Sequence, residues 1–106
     1  MTDWKKTKIE GVVEIEKCVA EFSVSEMKYT PWLNFKVKIY ESQSGKFTGV
    51  TNLMLKDSDG SPCGGIGYGN SVSEALEDTV NYFMRMLKER DTLSEEDFEA
   101  ADPYDF

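Results

Sequence analysis

Four glycines, at 64, 65, 67 and 69, stand directly before a predicted helix, which is where a phosphate-binding loop would lie. A dinucleotide-binding fingerprint needs glycines at i, i+2 and i+5, but a count from Gly65 ends at Asn70. A P-loop needs a lysine, and none occurs between Lys56 and Lys88. We therefore interpret these glycines as residues that let a strand pass close beneath the helix.

Other residue types that carry chemistry are also scarce. The chain has no histidine, which excludes Ser-His and Cys-His catalytic pairs. The segment DSDGS at 57–61 has its glycine at position 4, whereas a calcium-binding EF-hand loop requires glycine at position 6. The two cysteines, Cys18 and Cys63, form no metal-ligand spacing. We therefore expect a protein that is not an enzyme and that has no catalytic residue, metal site or cofactor.

The composition is typical of one folded domain. The chain has 106 residues, of which 40% are hydrophobic and 30% charged, so we expect a single α+β domain over 1–106. No apolar run approaches the roughly 20 residues that a membrane helix needs, and no apolar segment follows the N-terminal lysines. Two cysteines are too few for a disulfide scaffold. These features predict a cytoplasmic protein that does not bind membranes.

The charge is unevenly distributed along the chain. The net charge is −8, but residues 28–56 carry five lysines against one acidic residue, Glu41. Residues 57–106 carry three basic residues against thirteen acidic ones. The sequence therefore predicts an electrically polarised molecule with a basic middle and an acidic C-terminal half.

Three consecutive segments have the pattern of β-strands, at 33–41, 46–56 and 62–69. The clearest is LNFKVKIYE at 33–41, in which one face is apolar: Leu33, Phe35, Val37 and Ile39. The turn-forming segments SQSG at 42–45 and DSDG at 57–60 separate the three strands. Connections this short predict an antiparallel meander, because parallel strands need longer crossovers.

A long amphipathic helix is predicted over 72–90. Ser71 is a suitable N-cap, and Glu74 follows three residues later, as in a capping box. Apolar residues recur at helical spacing, namely Val72, Leu76, Thr79, Val80, Phe83 and Leu87. Thr92 or Ser94 would cap a short acidic helix that runs through Ala100, and a frayed acidic tail is expected over 101–106.

The segment 9–24 has two interpretations. Val12, Ile15, Val19 and Phe22 follow a helical spacing, whereas the four valines favour a strand. We favour a strand with one bulge near Glu16–Lys17, which places these residues on one face: Val13, Ile15, Cys18, Ala20, Phe22 and Val24. The predicted fold is α+β, with an antiparallel sheet of three or four strands, one long amphipathic helix and a short acidic C-terminal helix.

If 9–24 were a helix, the element order would become α-β-β-β-α. With that order, the junction GYGNSVSEALED at 67–78 resembles the entry into the last helix of the double-stranded-RNA-binding domain. The resemblance implies lysines that grip phosphates at the start of that helix. This chain departs from the pattern, because its matching turn carries Glu74, Glu77 and Asp78.

The acidic C-terminal half is the first candidate for a binding surface. Its carboxylates include Glu74, Glu77, Asp78, Asp91, Glu95, Glu96, Asp97, Glu99, Asp102 and Asp105. Acidic residues interleaved with methionine and aromatic residues suit docking on a basic protein. The predicted contact residues are Glu95, Glu96, Asp97, Phe98, Glu99 and Tyr104. We expect a small inhibitor, an immunity-type protein or a nucleic-acid mimic, and a solvated helix face with an acidic tail is the plainer interpretation.

The outer face of the sheet is the second candidate. It is expected to carry Lys36, Lys38, Tyr40, Asn52, Met54 and Lys56 opposite the helix. Lysine and aromatic side chains on an open sheet bind single-stranded nucleic acid by charge and stacking. The same face would also suit an acidic protein or plain solvation, and the net charge of −8 opposes nucleic acid.

Overall fold

The structure is a computed structural model that describes residues 3–26, 33–90, 93–101 and 106. The fold is α+β, as predicted, and one helix packs on an antiparallel sheet. In chain order, the elements are a 3₁₀ turn at Trp4–Lys6, β1 at Glu16–Glu26, β2 at Leu33–Ser42, β3 at Phe47–Lys56, β4 at Pro62–Gly69, α1 at Val72–Lys88, a 3₁₀ turn at Glu95–Asp97, and β5 at Phe98–Ala100.

The sheet contains the predicted antiparallel meander and the strand favoured for the first segment, and β5 is an additional strand that the sequence did not predict. Its order is β1-β2-β3-β4, and β5 also pairs with β3. The β2 strand pairs with β3 over 47–51, and β5 pairs with Leu53–Leu55 further along the same edge. The turns before β3 and β4 contain Gly45 and Gly60, whose φ angles of 87° and 82° favour glycine.

The core lies between the inner face of the sheet and α1. Alternation along β2 buries Phe35, Val37 and Ile39, each at most 2% exposed. Helical spacing buries Ala75, Thr79, Phe83 and Leu87 against them. The rings of Phe35 and Phe83 are 4.9 Å apart between centroids. The predicted apolar helix face is therefore confirmed, and Ala75 is an additional member of it.

The α1 helix begins where the sequence predicts. The Ser71 hydroxyl accepts a hydrogen bond from the Glu74 backbone N–H at 3.1 Å, which satisfies one of the free donors of the first turn. The helix ends at Lys88, two residues before the predicted end. The Arg90 side chain instead donates a hydrogen bond to the carbonyl oxygen of Lys56. No helix in the described part of the chain is long and apolar enough to cross a membrane.

The first segment forms a strand over 16–26, so the helical interpretation of 9–24 is wrong. The order of the main elements is β-β-β-β-α, which removes the topological basis of the resemblance to the double-stranded-RNA-binding domain. The bulge lies between Cys18 and Ala20 rather than near Glu16–Lys17. Cys18 is consequently exposed. Val13 is also exposed, because it lies before the strand begins.

The Gln43 side chain holds the loop that precedes β1. The Gln43 amide nitrogen donates to the carbonyl oxygens of Trp4 and Thr7, at 3.0 and 2.7 Å. The Gln43 amide oxygen accepts a hydrogen bond from the Ile15 N–H at 3.1 Å. This amide therefore satisfies three backbone groups of the segment before Glu16 that have no partner in the sheet.

The predicted short acidic helix is absent among residues 93–101, and its prediction is wrong. The segment makes only the 3₁₀ turn at 95–97 and then enters β5. A helix this short is marginal without packing, whereas β5 gains backbone pairing with β3. Of the predicted frayed tail, residues 102–105 lie outside the described residues, and Ala101 donates from its N–H to the Asn52 carbonyl oxygen at 2.7 Å.

The glycines of β4 allow α1 to lie directly on the strand. A Cβ built on Gly67 would lie 2.3 Å from the Thr79 nitrogen, and one on Gly69 would lie 2.6 Å from the Ala75 nitrogen. A Cβ on Gly65 would lie 2.9 Å from the Cβ of Phe83. The interpretation of the glycine run as a close-packing surface for the helix is therefore confirmed.

Candidate functional site

Three of the predicted contact residues form an exposed acidic surface at the C-terminal end of the fold. Glu95 and Glu96 lie in the 3₁₀ turn, Glu99 lies in β5, and all three side chains are exposed. We call these three residues the C-terminal acidic surface. No lysine or arginine among the described residues forms an ion pair with these carboxylates, so their negative charge faces solvent.

Two other predicted contact residues have structural contacts instead. The Asp97 carboxylate accepts hydrogen bonds from the Ser94 N–H at 2.8 Å and the Ser94 hydroxyl at 3.2 Å, so it stabilises its own turn. Phe98 pairs with Leu55 and packs half-buried against the core. Tyr104 lies outside the described residues.

The acidic residues of the C-terminal half do not form one surface. Glu74 lies over Gly69, which pairs with Phe47 at one end of β3. Glu99 pairs with Met54 near the other end of β3. Phe47 and Met54 are seven positions apart along β3, which is about 23 Å at roughly 3.3 Å per residue. The acids at the start of α1 and the C-terminal acidic surface are therefore separate features.

The sheet-face lysines lie opposite the core, but their charge is already partly neutralised. Glu21 of β1 lies 3.9 Å from the ammonium groups of both Lys36 and Lys38. Lys38 also donates to the carbonyl oxygen of Phe106 at 2.5 Å, and its ammonium group lies 4.5 Å from the centre of the Phe106 ring. The Lys38 side chain is only 21% exposed as a result.

The remaining predicted sheet-face residues have varied surroundings. The Asn52 side-chain oxygen accepts a hydrogen bond from the Lys36 N–H at 2.7 Å, where β2 and β3 have stopped pairing. Met54 lies between Gly64 of β4 and Glu99 of β5. Lys56 is half-buried at the end of β3. Burial raises the pKa of Tyr40, and the nearby Cys18 and Glu16 raise it further.

The charges of the two halves of the molecule are compensated differently. Four described lysines of the first half form ion pairs, and the shortest of these joins Lys5 to Glu41 at 2.5 Å. Among the described residues from 57 onward, no aspartate or glutamate forms an ion pair. The ion pairs of the described residues all join a lysine and a carboxylate of the first half, so they leave its net charge unchanged, and the acidic side chains from 57 onward keep the polarity that the sequence predicts.

Metal-ligating side chains are dispersed in the fold. In the described ranges, no group of three or more Asp, Glu or Cys residues is arranged to hold a metal ion. One oxygen of Asp57 accepts hydrogen bonds from the backbone N–H groups of Asp59 and Ser61, at 2.9 and 3.0 Å. The DSDGS segment is therefore a turn that its own first aspartate stabilises.

The exposed side chains of β4, the strand at one edge of the sheet, were not predicted from the sequence. Ile66 and Tyr68 alternate with glycines, so their side chains share the outer face while α1 covers the glycine face. Both side chains are exposed, at 37% and 62%. The alternation of large residues with glycine was the available signal. The glycine face can be covered closely by a helix, and the large side chains then share the other face.

Comparison of the chain with protein-family models, with curated proteins and with solved structures gave no match.

Proposed function

We propose that this chain is a small non-catalytic protein that binds a basic protein partner through the C-terminal acidic surface. The observation that supports this proposal most is the lack of ion pairs on Glu95, Glu96 and Glu99 among the described residues. Carboxylates without ion pairs keep their full electrostatic field, which steers a basic partner and contributes to specificity. An inhibitor, an immunity-type protein or a nucleic-acid mimic acts in this way.

The rigid support of this surface also favours binding. Glu99 lies in a strand that pairs with β3, and Glu95 and Glu96 lie in a turn that Asp97 stabilises. A backbone that is already fixed loses little conformational freedom when a partner binds, so only the exposed side chains remain to be ordered. Phe98 also supports this surface, because its packing against the core anchors the turn.

Binding of nucleic acid by the sheet face is the alternative function, and the contacts support it less. Glu21 and the Phe106 carbonyl oxygen already satisfy Lys38, and Glu21 also lies near Lys36. A phosphate backbone would have to compete with these groups and with the net charge of −8. We therefore expect no retardation of labelled single-stranded RNA or DNA at physiological salt.

A matched pair of charge-reversal variants tests the proposal. One variant changes Glu95→Lys, Glu96→Lys and Glu99→Lys, and the control changes Glu10→Lys, Glu14→Lys and Asp59→Lys at other exposed sites. Both have the same net charge, and each should fold, because exposed charges contribute little to stability. Tagged proteins are used to capture partners from the native lysate at low and high salt, with identification by mass spectrometry.

We expect the wild type and the control to capture a basic protein at low salt. The variant with Glu95→Lys, Glu96→Lys and Glu99→Lys should not capture it. Affinity for the purified partner is then measured by calorimetry. Equal loss in both variants would mean that net charge alone governs capture. Capture of nucleic acid that Lys36→Ala and Lys38→Ala abolish would replace the proposal with the alternative.

A further inference from the structure

We propose that the outer edge of β4 and the adjoining side of α1 form a groove for an extended segment of a basic protein, which joins the sheet as a further strand. We call this feature the edge groove, with the backbone of 64–66 as its base and the side chains of Ile66, Tyr68, Asp78 and Tyr82 beside it. It lies on the opposite side of β3 from Glu99, so it adds a second surface to the proposed function.

The backbone of β4 has hydrogen-bonding groups that point away from the sheet. In the described part of the chain, β4 pairs with β3 alone. Tyr68 stands opposite Thr48, but its N–H donates to the Asp78 carboxylate at 2.9 Å rather than to β3. By the alternation of an antiparallel ladder, Ile66 and Gly64 direct their N–H and carbonyl groups the same way.

The neighbouring residue confirms this orientation. The Gly65 N–H points in the opposite direction, toward β3, where it donates to the Thr51 hydroxyl at 2.8 Å. The outward groups of Gly64 and Ile66 are therefore a template for an added strand. Asp78 satisfies the same kind of group at Tyr68, which shows that an acceptor can reach this edge.

The other outer edge of the sheet is protected along its length, whereas among the described residues β4 is capped only at Tyr68, by Asp78. The β1 strand carries charged residues along its length, namely Glu16, Lys17, Glu21 and Glu26, and it contains the bulge at Val19. Charges and bulges on an edge strand discourage pairing with a further strand. The β4 strand, PCGGIGYG, has no charged residue and no proline after Pro62.

Apolar side chains line this edge on both sides. Ile66 and Tyr68 are exposed on the outer face of β4, and Tyr82 of α1 is 41% exposed. The helix runs antiparallel to β4, with Gly69 below Ala75 and Gly65 below Phe83. Tyr82 lies one helical turn after Asp78 on the same side of the helix, so it flanks the edge from the helix face, whereas Ile66 and Tyr68 lie on the opposite face.

Charge selects a basic segment as the occupant. Asp78 lies at the edge itself, and Glu74 and Glu77 are exposed on the same part of α1. Arg85 contributes one positive charge further along the helix, where its guanidinium lies 5.9 Å from the Tyr82 ring centre. A second copy joined through β4 would bring its own three carboxylates close to these, which costs free energy. Lysine or arginine side chains on the added strand would instead complement them.

The probe is a fluorescein-labelled short peptide of alternating lysine and valine with blocked ends, and its matched control has glutamate in place of lysine. The wild type should bind the lysine peptide, and the glutamate peptide should bind at least about tenfold more weakly because of like-charge repulsion. Amide hydrogen exchange of Gly64 and Ile66 should slow when the lysine peptide is added. No binding, equal binding of the two peptides, or unchanged exchange at both amides would overturn the proposal.

The variant Ile66→Pro tests the backbone contact. Proline removes an N–H that points away from β3, so the sheet should be retained while pairing at the edge is blocked. Peptide affinity should fall at least about tenfold in Ile66→Pro, since the strand contact is lost, and stay near wild type in the control Ile66→Val. If Ile66→Pro does not fold by circular dichroism, the exchange of the wild-type amides decides the question alone.

Two further results separate the possibilities. The variant with Glu95→Lys, Glu96→Lys and Glu99→Lys should keep its affinity for the lysine peptide, so failure of the proposed function would leave this result unchanged. Loss of peptide binding in that variant would overturn the edge groove. A dimer in sedimentation experiments that Ile66→Pro dissociates would also overturn it, because the occupant would then be a second copy.

Discussion

Gly67 and Thr79 are in such close contact that a Cβ on Gly67 would lie 2.3 Å from the Thr79 backbone nitrogen. The same Cβ would lie 2.6 Å from the Thr79 hydroxyl oxygen and 2.7 Å from the carbonyl carbon of Asp78. Two of these three atoms belong to the helix backbone, which cannot move aside as a side-chain tip can. This contact sets the distance between α1 and β4, and with it the position of Asp78 at the edge of the sheet.

Gly67→Ala should therefore destabilise the fold by about 1–3 kcal/mol or more, as overpacking of a close-packed core does. Gly64→Ala is the matched control, because its nearest neighbour is a flexible Met54 side-chain carbon at 3.3 Å. The control should change the free energy of unfolding by less than about 1 kcal/mol. Urea denaturation measures both, and equal losses would show that α1 does not rest on β4 at Gly67.

Phe83→Ala should cost about 3–5 kcal/mol of unfolding free energy, because a large side chain leaves a cavity in the core. Phe83 is 0% exposed and packs against Phe35. The neighbouring Tyr82 is 41% exposed, so Tyr82→Ala should cost less than about 1 kcal/mol. Chemical denaturation compares the two variants, and a loss below about 1 kcal/mol for Phe83→Ala would contradict the assignment of the buried face.

Thr51→Val should destabilise the protein by about 1–3 kcal/mol, the cost of leaving a buried N–H without an acceptor. The Thr51 hydroxyl accepts from the Gly65 N–H at 2.8 Å and donates to the Leu53 carbonyl oxygen at 2.8 Å. These bonds span the point where the register of β3 and β4 shifts. Thr51→Ser keeps the hydroxyl and should lose less, so similar denaturation midpoints for the two variants would argue against this role.

Ionisation of Tyr40 should lower the free energy of unfolding at alkaline pH. Burial, with help from Cys18 and Glu16, raises the pKa of Tyr40 above its usual value of 10.0. The folded state then holds the phenol proton more tightly than the unfolded state, so this contribution is complete below pH 10 and is lost as the pH rises through the folded pKa. Urea denaturation from pH 9 upward should show a steeper decline for wild type than for Tyr40→Phe. Parallel declines would mean that Tyr40 titrates alike in both states.

The sequence predicted the elements whose signals are local. Alternation in 33–41 identified β2, and the predicted bounds of β4 match the observed Pro62–Gly69. The Ser71 cap and the apolar spacing after it identified α1. Each of these patterns reflects one buried face over a continuous segment, so the chain itself carries the information.

Other assignments depended on contacts between distant residues and could not be read from the chain. The bulge of β1 lies where pairing with β2 requires it, not where the valines alone suggest. The segment after Ser94 has a helical composition, but pairing with Leu53–Leu55 makes it a strand. Short elements have little intrinsic stability, so tertiary pairing decides their conformation.

The charge and the residue types of this protein were determined by the sequence alone, which is why a basic partner could be proposed as a class. Which charges remain available was decided only by the tertiary structure, because Glu21 reaches Lys36 and Lys38 from another strand while Glu95, Glu96 and Glu99 gain no ion pair from the described residues. The open edge of β4 has the same origin. A strand becomes an edge through the order of pairing in the sheet, and that order is a property of the whole fold.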